Sequence, residues 1–513
     1  MLFNSYEFLF FFLPVTLGVF FALSGYRCLR TAAAWLALVS IFFYGYWSPR
    51  YVLLLLASIA VNFAAGHLIL RCRGASRMRA AKRVLVLALA ANLGALGYFK
   101  YANFFVESLN AAAGSQWHLA PIVLPIGISF FTFTQIAFLV DTYQGKVRES
   151  RIVPYILFVA YFPHLIAGPV LHHAEMMPQF ARAETYRFRL DNFLLGMGFF
   201  LIGLFKKVVL ADGIQPFVSP VFESDPAYAL TLIEAWGGVL AYTLQLYFDF
   251  SGYSDMAIGL SKMFNVDLPL NFNSPYKATS IVEFWRRWHM TLSRFLRDYL
   301  YIALGGNRHG TLRRYANLML TMLLGGLWHG AGWTFFVWGG LHGAYLVVNH
   351  LWQALRARLG HDLARSTPAG RLCAAALTFL CVALAWVFFR ATSFDAALRV
   401  LDGMAGVNGV ALPVEWQALP WAAALAVPFA PLEAFGGLRQ LGWIAVLLLV
   451  VWTCPNSQTL MGRLDGLVRA RVAAPARRER WGWLSLGGMT ACVFLLAAIS
   501  ASHGISEFIY FNF

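Results

Sequence analysis

The chain has 513 residues, of which 59% are hydrophobic and 12% are charged. Soluble globular proteins carry about 25% charged residues, so this composition excludes that class of protein. The formal net charge of +16 would indicate nucleic acid as a partner of a soluble protein. In a membrane protein, basic loops on the cytoplasmic side account for such an excess, and we expect no nucleic-acid partner.

Apolar runs close to the length of a bilayer-crossing helix recur along the whole sequence. Because the runs are continuous and do not alternate with polar residues, they indicate helices and not strands. The predicted fold class is an all-α polytopic membrane protein with about twelve transmembrane helices. The predicted spans are 8–24, 31–47, 51–70, 84–99, 121–140, 191–211, 229–248, 315–329, 333–352, 371–390, 437–453 and 481–500.

A further apolar stretch, 152–170, is interrupted by Pro163, Gly168 and Pro169. We expect it to enter the membrane and return without crossing. Irregular backbone survives at that depth only where protein or water covers it.

Basic loops set the predicted orientation, because Lys and Arg concentrate on the cytoplasmic side. They fall on one side if the twelve spans cross and the broken segment does not. The loops are 71–83, 182–189, 286–314, 356–371 and 463–480. Both termini then lie outside the cytoplasm and 402–436 is an outer loop. The pair Lys206-Lys207 fits least well, near the outer end of a span. We expect a single membrane domain over 1–513.

A glycine-rich stretch surrounds a histidine at the end of the predicted span 315–329. Leu323–Gly343 reads LLGGLWHGAGWTFFVWGGLHG, and its glycines permit close approach of a neighbouring helix or a ligand to the backbone. The helix from Ala316 to His329 would rise roughly 21 Å from the basic side, which places His329 inside the membrane. Ionisable residues there are costly and usually functional. A neutral imidazole can accept and return a proton near pH 7, which suits activation of a hydroxyl. The alternative is a histidine that hydrogen-bonds between helices.

A basic aromatic stretch, Glu283–Arg308, precedes that helix and contains His289. Arginines form paired hydrogen bonds to phosphate oxygens, so the stretch suits a phosphate-bearing ligand. The alternative is an interfacial amphipathic helix anchored by aromatic residues. The candidate binding residues are Arg286, Arg287, Arg294, Trp285 and Trp288.

Other polar residues in apolar surroundings favour structural roles. We expect His342 and His350 to pack or to hydrogen-bond between helices. Tyr247–Gly259, YFDFSGYSDMAIG, lacks the GxSxG pattern of a nucleophile elbow, and its Asp and Ser residues are interpreted as helix caps. His172 and His173 lack the HExxH spacing of a zinc site, and no metal is expected.

Three long motifs together resemble the membrane-bound O-acyltransferase family. They are FDFSGYSDMAIG, LPLNFNSPYKATSIVEFWRRWHMTLSRFLRDYLYIALGGNR and GGLWHGAGWTFFVWGGLHG. The stretches GPVLHHAEMMPQF and MLFNSYEFLFFFLPV are similar to the bacterial branch that acylates cell-envelope polymers, typified by the alginate O-acetylation membrane protein. The resemblance covers nearly the whole chain and is densest from 245 to 345.

This resemblance implies a helical fold around a central tunnel, in the bacterial inner membrane. It implies that His329 is the catalytic histidine and that His289 matches a second polar position, which is Asn, Asp or His by family member. The implied donor is a cytoplasmic acyl thioester such as acetyl-CoA, with no bound cofactor. The acceptor is an extracytoplasmic polysaccharide such as alginate. A periplasmic acyltransferase partner usually completes delivery.

The C-terminal tail, 501–513, ends in EFIYFNF and is predicted to lie outside the cytoplasm. One interpretation is an aromatic anchor at the membrane interface. The resemblance implies another, because bacterial relatives share a terminal aromatic motif with a tyrosine. Tyr510 would then take the acyl group from the donor with His329 as base, and pass it on.

Three alternative functions stay open at this point. A transporter could export an acyl group or polymer without chemistry, since histidines also serve proton relays in membranes, but the sequence has no inverted repeat of the kind transporters show. A scaffold could recruit a periplasmic enzyme. A D-alanyl transferase could take its acyl group from a carrier protein.

Overall fold

The described part of the chain is mostly helical in the computed structural model, as predicted. The structure describes residues 1–147, 151–166, 168–362, 366–471, 475–503 and 506–509. Within these ranges the strands are β1 (Leu412–Pro413) and β2 (Phe429–Ala430), which pair in parallel.

The α-helices vary from single turns to long continuous elements. The first twelve are α1 (Leu13–Gly25), α2 (Leu29–Trp47), α3 (Val52–Gly74), α4 (Met78–Leu96), α5 (Ala102–Ala113), α6 (Ile128–Gln144), α7 (Ile152–Ala160), α8 (Phe162–Leu165), α9 (His173–Met176), α10 (Leu190–Phe205), α11 (Asp212–Ile214) and α12 (Ser219–Phe222). The remaining helices are α13 (Leu232–Met263), α14 (Ile281–Trp285), α15 (Met290–Phe295), α16 (Gly310–His329), α17 (Trp333–Arg358), α18 (Pro368–Arg390), α19 (Phe394–Met404), α20 (Pro420–Ala423), α21 (Gly437–Thr453), α22 (Ser457–Arg471) and α23 (Pro475–His503).

Fewer helices than predicted have the length and composition of a membrane span. In the part of the chain that the structure describes there are six, or seven if the pair Gly437–Thr453 and Ser457–Leu464, bent by 60°, forms one. The six are Glu7–Gly25, Leu29–Trp47, Pro49–Gly74, Met78–Ala113, Leu190–Phe222 and Pro368–Arg390. The predicted count of twelve is therefore not confirmed.

The structure shows one interruption that was predicted and one extension that was not. The stretch 152–170 forms α7 and α8, separated at Tyr161, whose ψ of 116° ends the helical backbone. The span predicted at 191–211 instead continues from Leu190 to Phe222 through a π-helical turn at Lys206–Ala211. Such turns insert a residue into an α-helix and often occur at functional sites.

The described residues form two compact units. The first contains Met1–Phe205, Gly252–Asn271 and the described residues from Ser457 onward, and the second contains Lys206–Ser251 and Phe272–Asn456. The long helix α13 supplies residues to both. The prediction of one membrane domain stays a prediction.

In the first unit, α10 packs closely against the C-terminal part of α13. A Cβ added to Gly196 would lie 2.6 Å from the carbonyl oxygen of Gly259, and one on Gly203 would lie 2.5 Å from that of Gly252. Two pairs of glycines therefore allow the two helix backbones to touch.

The two ends of the chain also meet within the first unit. The Phe508 ring stacks on Tyr253 with centres 4.4 Å apart, and Tyr253 stacks on Phe3 at 4.8 Å. The Tyr6 hydroxyl donates to the carbonyl oxygen of Ala497 at 3.2 Å. These contacts anchor the start of the C-terminal tail. The predicted relay residue Tyr510 lies outside the described residues.

The second unit is built around the antiparallel pair α16 and α17, with α14 and α18 packed on α17. The polar residues of 247–259, interpreted from the sequence as helix caps, lie inside α13, which continues to Met263. The capping interpretation is therefore wrong, and the side chains of Asp249 and Asp255 have tertiary partners instead. Asp255 accepts a hydrogen bond from Ser457 within the first unit.

Candidate active site

Glycines let α16 and α17 pack backbone against backbone beside the candidate site. A Cβ on Gly326 would lie 2.3 Å from the carbonyl oxygen of Phe335, and one on Gly339 would lie 2.3 Å from that of Met322. A third glycine, Gly343, leaves room for the Met319 sulfur. The predicted role of the glycines in close helix approach is confirmed.

His329 is the last residue of α16 and is buried, with 4% of its surface exposed. Its ring lies edge-on to Trp338 and Phe389, at centre distances of 5.0 and 5.3 Å, and 5.0 Å from its neighbour Trp328. The carbonyl end of a helix favours a nearby positive charge. His329 is therefore placed where an imidazolium would gain stabilisation from α16.

His289 precedes α15 in a left-handed backbone conformation, with φ 42° and ψ 53°. Non-glycine residues rarely adopt positive φ, although His, Asn and Asp do so more often than others. Residues held in sparsely populated conformations cluster at functional sites. The side chain is fully buried, and its ring stands perpendicular to Phe250 at 4.8 Å.

The structure brings the two predicted catalytic histidines together. The ring centres of His289 and His329 are 6.4 Å apart, and Trp328 lies beside both. A hydrogen bond requires donor and acceptor atoms within about 3.2 Å, so the two imidazoles are neighbours that do not hydrogen-bond directly to each other. This separation suits two groups acting on one small reacting centre.

The candidate arginines lie in three different settings. Arg286 follows α14 and is exposed, whereas Arg294, in α15, is half-buried. Arg287 forms a 2.7 Å ion pair with Glu283 and also donates to the carbonyl oxygen of Asn273. Arg287 therefore joins Glu283 of α14 to the backbone at Asn273, and its guanidinium is already engaged.

The two candidate tryptophans also differ in setting. Trp288 is 1% exposed and packs among aromatic rings, including Phe272 at 5.1 Å and Trp386 at 5.1 Å. Trp285 is half-buried and contacts Trp338 at 5.9 Å and His342 at 5.1 Å. Trp285 thus connects the basic stretch to the surroundings of His329.

The contacts of the two histidines of α17 match the expectation of packing or interhelical hydrogen bonding. His342 is fully buried and packs among aromatic rings. The guanidinium of Arg314 in α16 donates to Nδ1 of His350 at 3.0 Å, which is a hydrogen bond between helices. The roles are unambiguous because a guanidinium only donates.

Sequence reasoning missed a buried ion cluster in the second unit. The Lys207 ammonium lies 2.8 Å from carboxylate oxygens of both Asp212 and Asp249, and all three side chains are at most 10% exposed. Lys207 was noted only as a poor fit to the predicted topology. A charged residue inside an apolar run signals a buried partner, and that signal was present in the sequence.

No candidate metal centre is found among the described residues, where no group of three or more His, Cys, Asp or Glu side chains could hold an ion. The adjacent histidines noted in the sequence lie in the first unit near a buried carboxylate. Nδ1 of His173 is 3.1 Å from Asp141, and Nδ1 of His172 is 3.9 Å from it.

Comparison with protein families gives one match over most of this architecture. Residues 32–384 match the model of "MBOAT, membrane-bound O-acyltransferase family". That range contains His289, His329, the paired helices α16 and α17, and most of α18.

Individual relatives agree with the family match. A peptidoglycan O-acetyltransferase of Helicobacter pylori is 45% identical over 439 residues, covering 80% of this chain and 81% of the relative. A probable alginate O-acetylase of Azotobacter vinelandii is 46% identical over 413 residues, covering 79% and 78%. A teichoic acid D-alanyltransferase of Streptococcus thermophilus is 27% identical over 251 residues, covering 46% and 59%.

Proposed function

The chain belongs to the membrane-bound O-acyltransferase family and is an O-acyltransferase, and from that premise we propose that it transfers acetyl groups from a cytoplasmic thioester to an extracytoplasmic polysaccharide. Relatives named for O-acetylation share 45% and 46% identity with the chain, against 27% for the D-alanyl transferase. This difference favours acetyl over D-alanyl. The names of the relatives include both alginate and peptidoglycan, so we propose a polysaccharide hydroxyl as the acceptor without choosing between those polymers.

The observation that carries the proposal is the buried pair of His289 and His329, with ring centres 6.4 Å apart. One neutral imidazole is enough for general base catalysis, and a second can orient the base or polarise the thioester carbonyl. Aromatic rings line the pair, and a low-polarity site strengthens such electrostatic effects.

The proposed chemistry needs only these side chains and the two substrates. His329 takes the proton of the acceptor hydroxyl, and the oxygen attacks the thioester carbonyl carbon. The carbon–sulfur bond then breaks as the new ester bond forms. The departing thiolate takes the proton back from the His329 imidazolium, which returns the enzyme to its starting state. General acid–base transfer of this kind typically contributes about 10²–10⁴-fold to the rate.

We assign the donor side to the basic aromatic stretch. Acetyl-CoA and acylated carrier proteins both bear phosphate. The exposed Arg286 is the candidate phosphate contact of this stretch, and Arg287 is paired with Glu283. Trp285, which precedes Arg286 in the sequence, contacts Trp338, and Trp338 lies beside His329. With the donor in the cytoplasm, the proposal requires both chain termini to lie on the opposite side in the bacterial inner membrane.

We further propose Tyr510 as the first acceptor. A phenol has a pKa near 10 and needs a base to attack a thioester, and the resulting aryl ester is a reactive donor for the next step. A periplasmic acyltransferase partner would then pass the acetyl group to the polymer. Phe508, two residues before Tyr510 in the sequence, stacks on Tyr253.

The test is peptide mass spectrometry of the purified protein after incubation with isotope-labelled acetyl-CoA. The expected result is label on Tyr510 in the wild type and none in His329→Ala or Tyr510→Phe at equal protein amounts. His289→Asn should reduce labelling less than His329→Ala does. Polymer acetylation in cells that survives His329→Ala would overturn the catalytic assignment and leave a scaffold role.

Two further outcomes separate the remaining alternatives. Label from a D-alanyl carrier protein and none from acetyl-CoA would reassign the acyl group. Polymer acetylation that persists in Tyr510→Phe but requires His329 would return the tail to an anchor, with His329 serving an external hydroxyl directly.

A further inference from the structure

A cluster of buried polar atoms lies next to His329 in the second unit. Its members are the imidazole of His342 and the indoles of Trp285 and Trp338. The His342 ring centre is 5.1 Å from Trp285 and 4.9 Å from Trp338, and Trp338 lies 5.0 Å from His329. The cluster therefore extends from the catalytic histidine toward α14.

The cluster has hydrogen-bonding capacity that the described protein does not use. His342 and Trp338 are 0% and 1% exposed. Within the described part of the chain, no group hydrogen-bonds to either ring nitrogen of His342, nor to the buried Nε1 atoms of Trp285 and Trp338. A neutral imidazole supplies one donor and one acceptor, and each indole supplies a donor.

Buried polar groups are nearly always hydrogen-bonded to protein, water or ligand. A hydrophobic ring at position 342 would make the same ring contacts without that cost. The presence of a histidine there, beside two indole N–H groups, indicates a bound group with at least one acceptor and one donor. A secondary amide has that composition.

A basic group lies further along α17 on the side away from His329. His350 accepts a hydrogen bond from Arg314, and the positive charge of Arg286 also acts on it. In a helix, His342 to His350 rises about 12 Å and Trp338 to His350 about 18 Å. Along α17, Trp338 beside His329 therefore comes first, His342 comes second, and His350 with its basic neighbours comes third.

A phosphopantetheine arm carries its groups in the same order, with the thioester at one end, amides along its length and a phosphate at the other end. We propose that His342 and Trp285 bind the amide of the donor arm nearest the sulfur, while Arg286, Arg314 and His350 meet its phosphate. This inference rests on the proposed function, since it requires an acyl thioester donor at His329. The arm is common to CoA and to carrier proteins, so the site serves either source.

This site raises the rate of transfer by holding the thioester in position. The amide is joined to the sulfur through two carbons, so holding it beside Trp338 fixes the thioester near His329. Oriented reactants gain large rate factors over freely diffusing ones. His342 is in this account a positioning residue, since it touches the donor but not the reacting atoms.

The experiment compares two small donors with each enzyme variant. S-acetyl-N-acetylcysteamine retains the amide, and S-pentyl thioacetate has the same chain length without it. The measured quantity is the ratio of kcat/KM for the two donors, followed by thiol release. This ratio is independent of the fraction of correctly folded enzyme, so partial misfolding of a variant does not affect it.

His342→Phe keeps a flat ring and removes both nitrogens, and we expect it to lower the ratio about 10- to 100-fold, as expected for a lost hydrogen bond to a buried group. His342→Gln, which retains a donor and an acceptor, should restore part of it. His67→Phe is the matched control, since His67 is a half-buried histidine beside Phe63 in the first unit. It should leave the ratio unchanged.

An unchanged ratio in His342→Phe would overturn the amide site and leave water as the partner of these atoms. An equal fall with both donors would also overturn it, because the loss would not depend on the amide. If the wild type releases thiol from no acyl thioester, the proposed function itself fails. Parallel assays with acetyl-CoA and with an acetylated carrier protein identify which source of the arm the enzyme uses.

Discussion

Gly326 of α16 and Gly339 of α17 meet so closely that the Cα of Gly339 lies 3.1 Å from the position of a Cβ on Gly326. His329 ends α16 three residues later. The position of His329 therefore depends on a helix contact at which only glycine fits, because a Cβ on either residue would overlap the other helix backbone.

We predict that Gly326→Ala destabilises the protein by about 1–3 kcal/mol, the range for overpacking, and lowers acetyl transfer by displacing His329. Gly340→Ala is the matched control, because its Cβ would make an ordinary 3.5 Å contact with Leu323. Unfolding in detergent and acetyl transfer by the folded fraction are the two measurements. Equal stability and activity of the two variants would contradict the prediction.

The buried Lys207 cluster predicts a large effect of removing its cation. Lys207→Met leaves Asp212 and Asp249 as neighbouring buried carboxylates, and breaking a buried ion pair in this way costs about 3–5 kcal/mol. Replacing both carboxylates by Asn in the same protein should recover part of the loss.

The control for this prediction is an exposed pair. Lys262→Met removes the partner of Asp267, whose side chain is 72% exposed, and such pairs are worth about 1 kcal/mol or less. The free energy of unfolding of each variant checks the comparison. A Lys207→Met protein no less stable than Lys262→Met would mean that the cluster is not held as an ion pair.

The hydrogen bonds and ion pair of Glu283 predict that the stability of the protein falls with pH in the acid range. Burial alone would raise the pKa of Glu283, but hydrogen bonds from Thr279 and Arg287 and the charge of Arg287 together hold the pKa below its usual value. A carboxylate with a lowered pKa stabilises the fold above its unfolded pKa, near 4.3, and loses that contribution as the pH falls through the folded pKa.

Stability measured from pH 6 downward should therefore fall less steeply in Glu283→Gln than in the wild type. Arg287→Met should flatten the profile in the same direction, because it removes the charge that lowers the pKa. Parallel profiles for all three proteins would show that the ion pair contributes nothing to acid stability.

The contact between Phe508 and Tyr253 predicts that Phe508 is needed for labelling of Tyr510. If Tyr510 receives the acetyl group, then Phe508→Ala should reduce label on Tyr510 by about 10-fold or more, since misplacing a reactant can cost 10²-fold. Glu507→Ala removes an exposed side chain at the adjacent position and is the control. Equal labelling of the two variants would show that the stacking does not position Tyr510.

Much of the candidate site could be predicted because its signals are local. Glycines around His329 predicted a close helix approach, and Gly326 and Gly339 provide it. The apolar, glycine-rich surroundings of His329 marked that residue, and the family resemblance marked His289 within the basic aromatic stretch. Their 6.4 Å separation could not be predicted, since they are forty residues apart and only the packing of α16 determines the distance.

The errors have the opposite character, because they concern partners far apart in sequence. Asp249 and Asp255 were interpreted as caps because nothing local suggested that α13 continues for 32 residues. Lys207 fitted the predicted topology poorly, and its partner Asp249 was missed because it is remote in sequence. The predicted count of twelve spans is not confirmed, since six or seven helices of the described residues have the length and composition of a span.

The left-handed backbone at His289 also restricts the residues that can replace it. Besides glycine, the residues that tolerate this conformation best are Asn, Asp and His, which are the same three that the family resemblance gives for this position. The geometry of the main chain thus selects a short set of amino acids before their chemistry is considered. It follows that Asn and Gly are the informative replacements for His289, because they remove the imidazole and keep the backbone, whereas a β-branched residue would change both.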